Sequence, residues 1–196
     1  MKRTSQQTKE LILDTATELF AIHGYDGLRV DEIASKAQVN KATIYYHFKD
    51  KNFIFETIIM EMINKIFKEI EKKQKSLDEP LKKLEAFFDA ISHIVIKYRN
   101  LAKIMMQELA VNGKNLSNEL KIRFFKILEI LINIVDEGIK KEQFKKVSAA
   151  LIHTIFLGGL NYYLSLKETI DGNFPVEFED SPQIILKEMI LNYLKK

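Results

Sequence analysis

The residues best equipped for recognition chemistry lie between Asp31 and Lys51, in the run DEIASKAQVNKATIYYHFKDK. Lys41, Thr43, Tyr45, Tyr46 and His47 fall close together there, and each carries a donor for a phosphate oxygen or a base edge. Tyr45, Tyr46 and His47 are consecutive, so on a helix they point about 100° apart and cannot all be buried. Lys41 stands at one end of this segment, Lys49 and Lys51 at the other. Just before it, Ile33, Ala34 and Ala37 share one helical face. Val39 sits in the connecting turn, and the Asn40 side chain is suited to accept from an orphan N–H of the next helix. A close-packed helix, a tight turn and a short polar helix make a helix-turn-helix, whose second helix enters a DNA major groove.

The rest of the chain must hold that segment. It has 196 residues, 46% of them hydrophobic, with only 7 Gly and 3 Pro. Apolar residues recur at spacings of three and four, so the fold class is all-α, with about nine helices. Helix 1 is expected over residues 6–23, ended by Gly24, after a loose basic arm at residues 1–5. Helices 2 and 3 follow at 30–37 and 41–48, and Asp50 caps a long fourth helix over 51–75. Its stripe runs from Ile54 to Ile70, and its length of about 37 Å exceeds what a three-helix head needs. A charged break leads to Pro80, which opens helix 5. Helices 6 and 7 are expected over 101–111 and 116–140. Helix 8 spans 146–166 and contains Gly158-Gly159, an acidic loop covers 168–180, and Ser181-Pro182 starts the last helix. The division expected is a DNA-binding head, 1–52, and a ligand-binding and dimerisation domain, 53–196.

Composition excludes several classes. With no Cys there are no disulfides, thiolate metal sites or cysteine nucleophiles. The N-terminus lacks an apolar signal core and no continuous apolar run reaches ~18 residues, so a cytoplasmic location without membrane contact is expected. The net charge of +3 is too mild to argue nucleic acid by itself, and the first 52 residues hold eight cationic residues against seven acidic ones. The case for DNA rests on arrangement. Asp89 and His93 stand four apart and could offer two metal ligands, but an intrahelical hydrogen bond is the ordinary reading. No Gly-rich phosphate loop opens a helix, and no Ser-His-Asp set stands out. No enzyme activity, metal or cofactor is expected.

Residues 10–55 resemble the DNA-binding domain of the TetR family of transcriptional regulators. The matching residues are Ile12-Leu13-Asp14, Ala16, Leu19-Phe20, Gly24-Tyr25, Val30, Ile33-Ala34, Ala37, Val39, Thr43, Tyr45, His47-Phe48 and Lys51. Two positions depart from it: Gln38 and Ala42 stand where many members have Gly. Arg29 also replaces a small hydroxyl residue at the start of helix 2. The resemblance implies that Tyr45, His47 and Lys51 contact phosphates, with Lys36 adding another. It implies that Lys41, Ala42 and Thr43 read base edges, and that Arg29 reaches either target. Tyr46 is grouped with this surface, with its ring expected to pack between helices.

Further along, the resemblance implies a cavity for a small, mostly apolar effector among helices 5 to 8. Phe88, His93, Met105, Phe124, Asn161 and Tyr162 are the candidate lining residues; ordinary core is the alternative for each. It also implies that helices 8 and 9 pair with their copies in a homodimer, through Ile184, Ile185, Met189 and Tyr193. The function implied is a ligand-responsive regulator of transcription, a repressor released from a near-palindromic double-stranded operator. The alternative is a DNA-binding protein of the same fold that acts through a protein partner, without a small-molecule effector.

Overall fold

The computed structural model describes residues 3–170 and 177–195. Among these, nine helices account for the regular structure, with no strand beyond an isolated bridge between Phe144 and Lys195. They are α1 (Ser5–Gly27), α2 (Val30–Ala37), α3 (Lys41–His47), α4 (Lys51–Gln74), α5 (Pro80–Lys97), α6 (Arg99–Ala110) and α7 (Asn118–Lys140). Then come α8 (Ala149–Ile170) and α9 (Pro182–Leu194). The expected basic arm begins with Met1 and Lys2, which lie outside the described residues, as do residues 171–176 of the expected acidic loop.

Two compact units emerge. The first comprises residues 1–64 and 98–122, the second residues 65–97 and 123–196. The helix-turn-helix therefore shares its unit with α6, which packs on α1. Gly24 explains part of that packing. Its φ of 68° breaks α1, and Ala21, in the last turn before the break, turns its carbonyl to Gln107 of α6, whose Nε2 donates to it at 3.0 Å. Lys114 pairs with Asp26 at 3.1 Å in the same region. The unit's core is Ile12, Ala16 and Phe20 of α1, Ile33 of α2, Ile44 of α3, and Ile54, Phe55, Ile58 and Ile59 of α4, all buried.

The second unit centres on Leu84, Phe87, Phe88 and Ile91 of α5, Leu131, Ile134 and Val135 of α7, and Phe156 and Leu160 of α8. The rings of Phe88 and Phe156 lie 4.2 Å apart. Phe156 sits in a wide π turn, Thr154–Gly158, that interrupts α8. The two glycines beside it differ: a Cβ on Gly159 would meet Leu186 of α9 at 3.4 Å, while one on Gly158 would meet nothing within 4 Å. Ion pairs tie the helices together, Lys83 to Glu137 at 2.9 Å and Lys187 to Asp89 at 2.6 Å. α8 is long and apolar enough to cross a membrane by length and composition, with a mean hydropathy of 1.3 over its best window and 28% of that window buried. His153, Thr154 and Asn161 interrupt the apolar run, so the sequence pattern, read for an unbroken run, did not reveal it.

The end of α7 shows how tightly this unit is packed. Phe144 is buried with its ring against Gly138, and a Cβ on Gly138 would lie 2.1 Å from that ring. The Gly138 carbonyl also accepts from the N–H groups of Gln143 and Phe144, so the turn cannot swing away freely. Overfilling of a packed core typically costs about 1–3 kcal/mol. Gly138→Ala is expected at the upper end of that range, read as a lowered urea midpoint for the second unit. Gly158→Ala, with open space around it, is expected to leave the midpoint unchanged or raise it.

Candidate nucleic-acid interface

α3 is only seven residues long, too short to persist alone, since isolated helices below about 12–15 residues are marginal in water. Its ends and one face are pinned. The Asn40 Oδ1 accepts from the Thr43 N–H at 2.6 Å and from the Thr43 hydroxyl at 2.7 Å. Ile44 is fully buried, and Phe48 closes the C-terminal end with 1% exposure. Opposite Ile44 the helix is open. Tyr45 is half exposed and Tyr46 is 79% exposed. Tyr46 therefore does not pack between helices, contrary to expectation: it stands two residues from Ile44, about 200° around the helix, so it points away from the core.

The turn before α3 contains the departure anticipated at Gln38. Gln38 adopts φ 54° and ψ 45°, the left-handed region, which costs an L-residue roughly 1–2 kcal/mol. The Val39 N–H donates to the Ala34 carbonyl at 3.0 Å across it, closing α2 in the way a glycine would. At the other end of α2, Arg29 is the N-cap. Its backbone N–H donates to the Glu32 carboxylate at 2.7 Å, and its side chain is exposed.

Three lysines of this surface are already engaged. Lys36 pairs with Glu18 at 2.9 Å and Lys41 with Asp31 at 2.8 Å. The hydrogen bond it donates to Asp31 holds the Lys41 ammonium above its ordinary pKa. Lys51 is half-buried and donates to two backbone carbonyls, Tyr25 at 2.8 Å and Leu28 at 3.0 Å, with its ammonium 4.3 Å from the Tyr25 ring centre. It thereby ties the first residue of α4 to the connection between α1 and α2. Burial, with Asp50 and Asp26 nearby, pushes the Tyr25 phenol above its ordinary value. Thr43 is half-buried and its hydroxyl donates to Asn40, Ala42 is exposed, and His47 is half-buried.

Residues 12–58 match the family described as "Bacterial regulatory proteins, tetR family". That stretch is a TetR-family DNA-binding domain. The likeness to curated relatives is highest over a short stretch. The biofilm operon negative transcriptional regulator IcaR of Staphylococcus aureus is 46% identical over 48 residues, which cover 24% of this chain and 26% of that one. The fatty acid metabolism regulator protein of Bacillus subtilis is 28% identical over 135 residues, 69% of this chain and 70% of that one. A solved structure of a proposed fatty acid metabolism regulator from Clostridium perfringens superposes with a TM-score of 0.69 at 28% identity, covering 94% of this chain and 96% of that one. The protein is thus a TetR-family regulator of transcription whose head binds DNA.

The residues proposed to line an effector site are dispersed. Met105 belongs to the first unit, the other five to the second. Phe88 lies in the closed core. Asn161 is buried, and its Nδ2 donates to the Leu157 carbonyl at 2.9 Å. Phe124 is half-buried. His93 is exposed with its Nδ1 3.0 Å from Glu69, and Tyr162 is 71% exposed. Asp89 bonds to Lys187, so the supposed Asp89–His93 pair has separate partners. Among the described residues no group of three or more His, Cys, Asp or Glu is placed to hold a metal.

The two carbonyl bonds of Lys51 were invisible in sequence, because Tyr25 and Leu28 are distant in the chain and nothing in their side chains marks the carbonyls. Lys51→Met keeps the stem and removes both bonds. It is expected to lower the stability of the head by roughly 1–2 kcal/mol in thermal or urea unfolding, since hydrogen bonds to charged groups exceed neutral ones. DNA affinity should fall with it, while the slope of log K against log salt stays unchanged, because the ammonium is spent on carbonyls and not on a phosphate.

Proposed function

We propose that the protein is a homodimeric repressor that places α3 of each subunit in successive major grooves of a near-palindromic operator and is released by a small, mostly apolar effector. The observation that carries this reading is α3 itself: capped by Asn40, anchored through Ile44 and Phe48, and open along the face of Tyr45 and Tyr46. In this reading Tyr45, His47 and Lys36 fix the register on phosphates, and Lys41, Ala42, Thr43 and Arg29 read bases. Half-sites lie about 34 Å apart, or a multiple of it. Residues 1–52 serve DNA and residues 53–196 serve effector and dimer. The protein acts in the cytoplasm, where its operator is.

A dimer is supported by apolar surface on α8 and α9. Leu151, Ile155, Met189 and Tyr193 are exposed, and they line a groove of about 330 Å³. A second copy covering this face also accounts for an apolar α8 that one chain leaves mostly uncovered. Effector response is supported by the π turn beside Phe88 and by the open space at Gly158, since such turns recur at functional sites. Two relatives carry names in fatty acid metabolism, so acyl chains are the first effector class to test. An effector that binds better to the form with misplaced recognition helices depopulates the DNA-bound form, with α4 as the continuous element running from one unit to the other.

The test is capture of genomic fragments by the purified protein, followed by titration of the captured operator complex with fatty acids and acyl thioesters of increasing chain length. Release at one range of lengths is expected. Operator binding that no acyl chain alters would count against the effector and favour action through a protein partner. Met189→Glu, which puts a charge in the proposed interface, is expected to yield a monomer in sedimentation. Its operator affinity should fall at least a hundredfold, because the two half-sites are no longer bound by one linked body.

A further inference from the structure

The acidic residue nearest the start of α3 is Asp31, in the first turn of α2. Both of its carboxylate oxygens face the Lys41 ammonium, at 2.8 and 3.0 Å. The pair bridges the N-terminal ends of α2 and α3, and both side chains remain at least half exposed. An exposed ion pair of this kind contributes little to stability, so holding the fold together is a poor account of it. Its neighbour Glu32 is differently employed, accepting from the Arg29 N–H.

We infer that Asp31 is a specificity-determining residue, which restrains Lys41 from acting as an unselective phosphate anchor and keeps it for base edges. This rests on the DNA-binding reading of α3 given above. A free ammonium is drawn to any phosphate, and that attraction carries no sequence information. With Asp31 beside it the local charge is cancelled, and a phosphate approaching Lys41 also meets a carboxylate. Guanine O6 and N7 are neutral acceptors and incur far less of that repulsion, so the paired ammonium can still donate a hydrogen to them. The carboxylate can in turn accept from the cytosine or adenine amino group next to the contact. The pair thus exchanges some total affinity for discrimination.

The probe is the duplex that the full-length wild-type protein enriches from a random library, compared with a shuffled duplex of the same length and composition. Asp31→Asn removes the charge and keeps the size. It is expected to tighten binding to the shuffled duplex and to steepen its salt slope by up to about one, as one more cation becomes available to phosphates. The ratio of the two affinities should fall on the order of tenfold. Asp31→Glu should restore the ratio, and in a Lys41→Met background Asp31→Asn should leave the ratio unchanged. Equal tightening on both duplexes would overturn the inference, as would the same loss of ratio with Lys41 absent. If the wild-type protein enriches no duplex at all, the DNA-binding reading itself fails and the inference falls with it.

Discussion

The burial of Ile44 and Phe48 is the constraint on which the head depends. A seven-residue helix has too few internal hydrogen bonds to offset its own ordering. It exists because one face is sunk into a core made by α1, α2 and the start of α4, and because the Asn40 side chain accepts from the Thr43 N–H of its first turn. The anchoring also decides the chemistry. Once Ile44 points inward, Tyr45 and Tyr46 must point outward, and Lys41 must sit at the protruding end. The exposed face of α3 is a consequence of the buried one.

The surroundings of that helix then read as devices for holding it still. Gln38 accepts a strained left-handed conformation so that α2 can stop and reverse within a few residues. Asp50 caps the start of α4, its Oδ1 accepting from the Phe53 N–H at 2.8 Å. Lys51, one residue later, clips the same end to the connection between α1 and α2. Charge at Lys51 is therefore used internally, in a half-buried position where a bond to a carbonyl is stronger than it would be in open water. α6 completes the unit by meeting the α1 carbonyl that the break at Gly24 leaves available.

Much of this architecture was legible in the sequence. The bounds of α2, the caps at Asn40 and Asp50, the stop at Gly24 and the long α4 follow from local chemistry, which acts over a few residues and is written there. The strain at Gln38 was also legible, as a side chain in a position that favours glycine. Most of what was not legible depends on distant partners, with one local exception. Thr4 and Gln7 form a reciprocal cap where a loose arm was expected, at 3.2 and 2.9 Å. The inclusion of α6 in the first unit, the acceptors of Lys51 and the pressing of Phe144 onto Gly138 all join residues far apart in the chain. The candidate effector residues illustrate the limit best. Polar-tipped residues among apolar ones do not reveal whether they face inward, and His93 and Tyr162 face outward.

The weak net charge of the head acquires a physical sense from the ion pairs. Lys36, Lys41 and Lys114 each meet an acidic side chain at about 3 Å, and Lys51 meets carbonyls. Such exposed pairs are cheap to open, worth less than about 1 kcal/mol each, so they do not prevent contact with DNA. They do reduce the long-range pull that an uncompensated cluster of lysines would exert on any duplex. Binding must then draw more on short-range contacts, which require α3 to fit the groove and its donors to find acceptors. A head built this way gives up part of the sequence-independent affinity that a strongly basic surface provides. What remains depends more steeply on the match between α3 and the bases, and so on how rigidly Ile44, Phe48 and the caps hold that helix.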